Sequence, residues 1–185
     1  MLLDAKIANP REGGPSFSLR HRVARSLWNV CWLVLGIWTP TPMFAWRRML
    51  LRSFGATISK TAKIYPFVKI WYPKNLTMGD YSCVARGVNC YCMDRIELQP
   101  YALVSQGAFL CGGTHNVDDM NFQLVTKPIE IGMNAWIAAD AFVGPGVVVA
   151  EGAVLGARAV TFKNLDRNTI YAGNPAIALR ARRRD

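Results

Sequence analysis

From Ile131 the chain repeats itself every six residues, reading IGMNAW, IAADAF, VGPGVV, VAEGAV and LGARAV. These hexads begin at Ile131, Ile137, Val143, Val149 and Leu155. The first position is always branched aliphatic, the second Gly or Ala, the fifth Ala or Val. A helix does not favour this pattern: its own period is 3.6 residues, and each interior glycine costs it about 1 kcal/mol. A short strand followed by a tight turn fits, with small residues where the backbone bends or neighbours approach closely. Three hexads close a triangular coil, and stacked coils place the aliphatic positions in interior ladders. Five consecutive matches leave little room for the alternative, a β-sandwich with chance spacing.

The same period recurs upstream in broken phase. Ile58, Ile64 and Ile70 form one triple, Met78, Val84 and Cys90 a second, Leu98, Val104 and Leu110 a third. Each triple starts twenty residues after the last, so two extra residues bulge at one corner of each coil. After Leu110 the pattern restarts only at Ile131, which predicts a loop extruded from within 112–128. About five coils follow, spanning 57–167, and the fold class is an all-β solenoid.

Before the repeat lies a different kind of chain. Residues 1–16 read as a flexible lead-in. Residues 17–56 read as a pair of α-helices joined at Thr39-Pro40-Thr41-Pro42. The run Leu27–Trp46 carries no charge, but the prolines leave an uncharged half too short to span a membrane. Rich in Arg and Trp, these helices read as an interfacial anchor, a peripheral membrane contact through 18–54, as a cap on the core, or as both together. A short segment, 168–185, with a basic tail closes the chain.

The net charge of +10 sits at the two ends. Residues 1–56 hold eight basic residues against Asp4 and Glu12, whereas 57–179 hold ten basic and nine acidic. A nucleic-acid partner would call for charge along the body, interleaved with aromatics, and none is expected. Five cysteines, 31, 83, 90, 92 and 111, give neither an even count nor a C-x-x-C pair, so neither metal nor redox chemistry is expected. The polar start, Met1–Pro15, does not read as a cleavable signal, and the expected location is the cytoplasm, with the inner membrane face as a docking surface.

Four segments, WRRMLLRSFGA (46–56), IYPFVKIWYPKNLTMGDYS (64–82), CGGTHN (111–116) and AGNPA (172–176), resemble the hexapeptide-repeat acyltransferases, and within them the colanic-acid-biosynthesis acetyltransferase subgroup. The resemblance covers roughly 17–182. It implies a left-handed parallel β-helix, a homotrimer, acetyl-CoA as acyl donor without a metal, and a sugar or lipid-linked glycan acceptor of an exopolysaccharide. His115, at the end of the G-T-H segment, matches the family's catalytic histidine. Its implied role is general base, taking the proton of an acceptor hydroxyl as the oxygen attacks a thioester, a task that suits neutral imidazole. Trp136 matches a tryptophan lining the site of related galactoside acetyltransferases. The family's active-site asparagine is not reproduced: the aligned position falls near Ala85, and Asn89 close by is the substitute candidate. Ala139 and Ala157 match positions where pantetheine runs against the backbone; Lys163 and Arg180 match cations near the nucleotide. Phe162 stands where the family often has Thr. Asp118 and Asp119 are candidates to orient His115, and His21 is expected to be structural.

Two other functions compete. A γ-type carbonic anhydrase shares the coil but needs three zinc-binding histidines, and only His115 is available. A non-catalytic, membrane-docked β-helix scaffold has no need for His115 and the Lys163/Arg180 cations together.

Overall fold

The computed structural model describes residues 2–183. Its body is a parallel solenoid with three faces, each a sheet of stacked two- to four-residue strands. The inward residues of the first face are Ile58, Met78, Leu98, Ile131 and Val149; those of the second are Ile64, Val84, Val104, Ile137, Leu155 and Tyr171. Ile70, Cys90, Leu110, Val143 and Thr161 form the third ladder. The five expected coils are therefore present in the expected register. A partial sixth turn follows: Leu165 bridges to Val149, and Thr169–Ala172 pairs with Val154 and Leu155. After Gly173 (φ +96°) the chain reverses, and Ile177–Ala181 runs antiparallel along Thr169–Ala172. Arg184 and Asp185 of the basic tail lie outside the described residues.

The ladders need no polar complement, because backbone pairing runs entirely between coils. Within the stack, N–H groups donate forward: Lys63 to Ser82, Tyr65 to Val84, Cys83 to Ala102. The first coil is therefore left with carbonyls facing its open end, and a buried carbonyl without a partner is costly. Two helices supply the donors: α2 (Leu19–Leu35) and α3 (Phe44–Ser53), following a short α1 (Ala5–Ala8). Trp28 donates to the Ile70 carbonyl at 2.7 Å and Trp32 to Val68 at 2.9 Å. Arg47 donates to Ile64 at 2.6 Å, Arg48 to Ala62 and Arg52 to Ile58, both at 2.9 Å. Trp and Arg are side chains that donate without accepting, which is what a row of carbonyls selects. The Arg- and Trp-rich composition of 17–56 is thus, on its inner side, the composition of a cap.

Arg47 is fully buried and also ties down the Thr39–Thr41 turn, donating to the carbonyls of Thr39, Pro40 and Thr41. Burial lowers its pKa, yet a guanidinium starts so high that it stays charged. The lead-in differs from expectation. Leu2 bridges to Phe17, Ala5 is buried, and Gln123 accepts the Ala5 N–H, so 2–17 packs against the extruded loop. Packing against a loop 118 residues away leaves no periodic trace in sequence.

Candidate active site

Every departure from the six-residue step falls at the corner after the third face. There the chain inserts Pro73–Asn75 as a 3-10 turn in the first coil and, after Cys111, extrudes the loop. The loop is a hairpin in which Gly113–His115 pairs antiparallel with Leu124–Thr126. His115 lies at the end of that ladder, exposed, its ring stacked on Phe122 with centroids 5.4 Å apart.

Its Nδ1 is 2.8 Å from the carbonyl oxygen of Phe122. A carbonyl can only accept, so Nδ1 carries the hydrogen and the neutral ring presents its lone pair at Nε2. Phe122 has φ +55°, and Arg11 stacks over its ring at 5.2 Å. Asp118 and Asp119, the expected orienting acids, do other work. Asp119 accepts from the Asn121 backbone at 2.8 Å, and Asp118 takes part in the loop through its own N–H to Asn116. Neither is hydrogen-bonded to His115. The orienting group is a backbone oxygen, which residue types could not reveal.

Beside the ring opens a cavity of about 500 Å³, walled by the hairpin, by Tyr91 and Met93 of the same corner, and by Arg22 and Arg25 of α2. The arginines were not singled out in the sequence, although their spacing of three on a helix puts them on one face. His21, just before Arg22 in sequence, packs among Phe17, Trp71 and Tyr72. Burial, with Arg25 adding to it, lowers its pKa, and its Nδ1 has no partner.

Trp136, Ala139, Ala157 and Arg180 come together elsewhere, in a cleft of about 960 Å³ along the second face and the corner that follows it. Trp136 points outward and donates to Ser105 Oγ at 2.8 Å. Ala138, Ala139, Gly156 and Ala157 leave the corner wall without bulk. Arg182 and Arg183 join Arg180 at one end, Arg182 being held by the carbonyls of Asn134 and Gly152. A long, narrow, phosphate-bearing ligand fits such a wall: small residues admit its chain and three cations meet its phosphates. Sequence reasoning had not included Arg182 and Arg183.

Two candidates fall outside both places. Asn89 projects from the third face and lines a mainly apolar cavity between that face and α2, with Trp32 and Lys69 among its walls. Lys163 lies in the turn after the fifth coil, held by Thr161 Oγ1, on the corner that carries the His115 hairpin and away from Arg180. Phe162 beside it is exposed and packs toward Phe142 at 5.5 Å. Among the described residues no side chain lines both the His115 cavity and the cleft. Among the described residues no three His, Cys, Asp or Glu side chains gather as a metal site.

No protein-family profile matches the chain. It is 42% identical over 156 residues to the colanic acid biosynthesis acetyltransferase WcaF of Escherichia coli K12, covering 84% of this chain and 86% of that one. Among solved structures it is similar to a galactoside acetyltransferase in complex with coenzyme A, at TM-score 0.81 and 19% identity, covering 91% and 85% of the two chains. It is also similar to a hexapeptide-repeat acetyltransferase of Vibrio cholerae complexed with acetyl coenzyme A, at TM-score 0.77 and 21% identity, covering 92% and 93%. These neighbours share the left-handed β-helix. With this identity over this share of its length, the chain belongs to the hexapeptide-repeat acetyltransferases, in the colanic-acid-biosynthesis subgroup.

Proposed function

We propose that the protein moves an acetyl group from acetyl-CoA to a sugar hydroxyl of an exopolysaccharide precursor, with His115 as general base. The observation that carries this reading is the 2.8 Å contact of His115 Nδ1 with the Phe122 carbonyl. Nε2, left as acceptor, takes the hydroxyl proton while the oxygen attacks the thioester carbonyl, and returns it to the leaving thiolate sulfur. The thioester is already activated, so positioning and one proton transfer carry much of the rate. Trp136, Ala139, Ala157 and Arg180 form the donor side, with Arg182 and Arg183 adding charge for phosphates. Lys163 and Asn89 stay in the proposal as donor and acceptor contacts only if a second copy of the chain brings them to the site. The family found here is one of acetyltransferases, which displaces the scaffold alternative.

A homotrimer accounts for the separation of the two half-sites. They border the same face, the third, whose outer side carries a ladder of aromatic rings, Tyr91, Phe109, Phe142 and Phe162, with centroids 5.2–6.0 Å apart. A threefold assembly with that face toward its axis sets the His115 corner of each copy against the cleft corner of the next.

Docking of the cap on an anionic membrane surface belongs to the same proposal. Among the described residues no helix is long and apolar enough to cross a membrane. The outer side of α2, however, exposes Leu19, Val23, Leu27, Val30 and Val34. From residue 13 to 79 there are ten basic residues and no acidic one. An apolar stripe on an acid-free, cationic end fits the inner leaflet.

The experiment is acetyl-CoA turnover, read as free thiol, with candidate glycans, for the native chain and His115→Ala. Acceptor-dependent release should fall by about two orders of magnitude or more. Equal turnover in both proteins would remove His115 as the base.

A further inference from the structure

The cavity beside His115 holds more positive charge than proton removal calls for. Arg22 and Arg25 both line it, and among the described residues no Asp or Glu does. Neither arginine forms an ion pair among the described residues; the one side-chain partner of either is the Trp71 ring, 4.5 Å from Arg25 Cζ. The nearby lead-in carboxylates do not neutralise them. Asp4 caps the backbone of α1, and Glu12, next to the lining residue Gly13, pairs with neither. Two guanidinium groups aimed into one half-enclosed space repel each other, and each leaves a planar fork of donors unused. An anionic ligand with several oxygens relieves both.

We propose that Arg22 and Arg25 bind a phosphate or diphosphate group of the acceptor, and that this anionic handle delivers the sugar hydroxyl to His115 Nε2. The inference rests on the reading of His115 as base and names the acceptor's class: a phosphate-linked sugar. Arginine forks match phosphate oxygens in pairs, which fixes orientation as well as charge. A nucleoside diphosphate and a lipid diphosphate share that chemistry. Arg22 also lines a mainly apolar groove of about 450 Å³ on α2, together with Leu19, Val23, Ser26, Leu27 and Val30. That groove accepts hydrocarbon, and beside Arg22 it offers a nucleoside's polar edges only the Ser26 hydroxyl, so the geometry favours the lipid-linked source.

The test uses the full chain saturated with CoA, so that the cleft arginines are engaged, titrated calorimetrically with inorganic pyrophosphate. One site per chain is expected, weakened at least tenfold by Arg22→Gln with Arg25→Gln and retained in His115→Ala. Arg25→Lys, which keeps the charge and loses the fork, serves if the double variant fails to fold, with an intermediate loss expected. No binding, or binding that ignores these substitutions, overturns the proposal. In a second arm a polyprenyl diphosphate in detergent and a nucleoside diphosphate compete against pyrophosphate. Displacement by the former alone supports the lipid source, and by the latter alone a soluble one; displacement by neither overturns the site. Should His115→Ala keep both pyrophosphate binding and full turnover, the base reading fails and the anion site stands.

Discussion

At the scale of single residues, His115 and Arg47 are both held by backbone oxygens and differ in what they do with that hold. His115 uses one carbonyl to fix its tautomer; Arg47 uses four to close the fold. A buried guanidinium stays where every donor has a partner, and removing it strands those partners instead. Arg47→Met, close in length and apolar, leaves the carbonyls of Ile64, Thr39, Pro40 and Thr41 facing a side chain that cannot donate. Unfolding free energy should fall by about 3 kcal/mol or more, measured by urea denaturation. A loss below about 1 kcal/mol would mean that water replaces the guanidinium at little penalty. The cysteines make a second residue-scale case. Burial pushes the Cys92 thiol up to about 11 and raises Cys90 further, so neither is a thiolate at neutral pH. In the native protein both should ignore a thiol reagent that labels the partly exposed Cys31, Cys83 and Cys111. Labelling of all five before unfolding would show that the coil interior opens readily.

At the scale of elements, the hexads were legible because twelve of the fifteen inward ladder residues from Ile58 to Thr161 are branched aliphatic. The register of the other three, Met78, Cys90 and Thr161, follows from the six-residue spacing rather than from their side chains. The partial sixth turn was not legible, since Leu165 follows Thr161 after only four residues and breaks the period. Donor-only side chains were visible in 17–56, but their meaning was not, because the carbonyls they meet belong to the next element. The helices have two sides with two chemistries: the inner one donates to the first coil, and the outer one is an exposed apolar stripe on α2. Capping and membrane docking therefore separate by mutation. Leu27→Glu with Val30→Glu touches only exposed positions, so thermal stability should change little, while sedimentation with anionic vesicles at low salt should drop several-fold. Neutral vesicles should bind weakly in either case. Unchanged sedimentation with anionic vesicles would leave α2 as a cap alone, and loss of self-association instead would identify the stripe as a contact between copies.

At the scale of the whole molecule, the candidate site is split by the geometry of a triangular prism. The hairpin corner carries His115, the proposed base, and the cleft corner the proposed donor wall, with one aromatic face between them. Sequence could assign the two halves to a site shared between neighbouring subunits only through resemblance; the residues alone did not show which corner holds which half, since that depends on counting residues around each coil. If a neighbouring copy joins the halves, two inactive variants must rescue each other. His115→Ala keeps an intact cleft; Ala157→Trp, which fills the cleft wall, keeps an intact hairpin. Each alone should be nearly inactive. In mixed trimers formed by co-expression, a competent site needs the cleft of the first and the hairpin of the second, so random mixing restores about a quarter of native turnover. Sedimentation of the mixture as three-chain particles completes the measurement. If mixing restores nothing although trimers form, the base and the donor wall act within one subunit, and the chain must bring its own two corners together by a movement of the 112–128 hairpin.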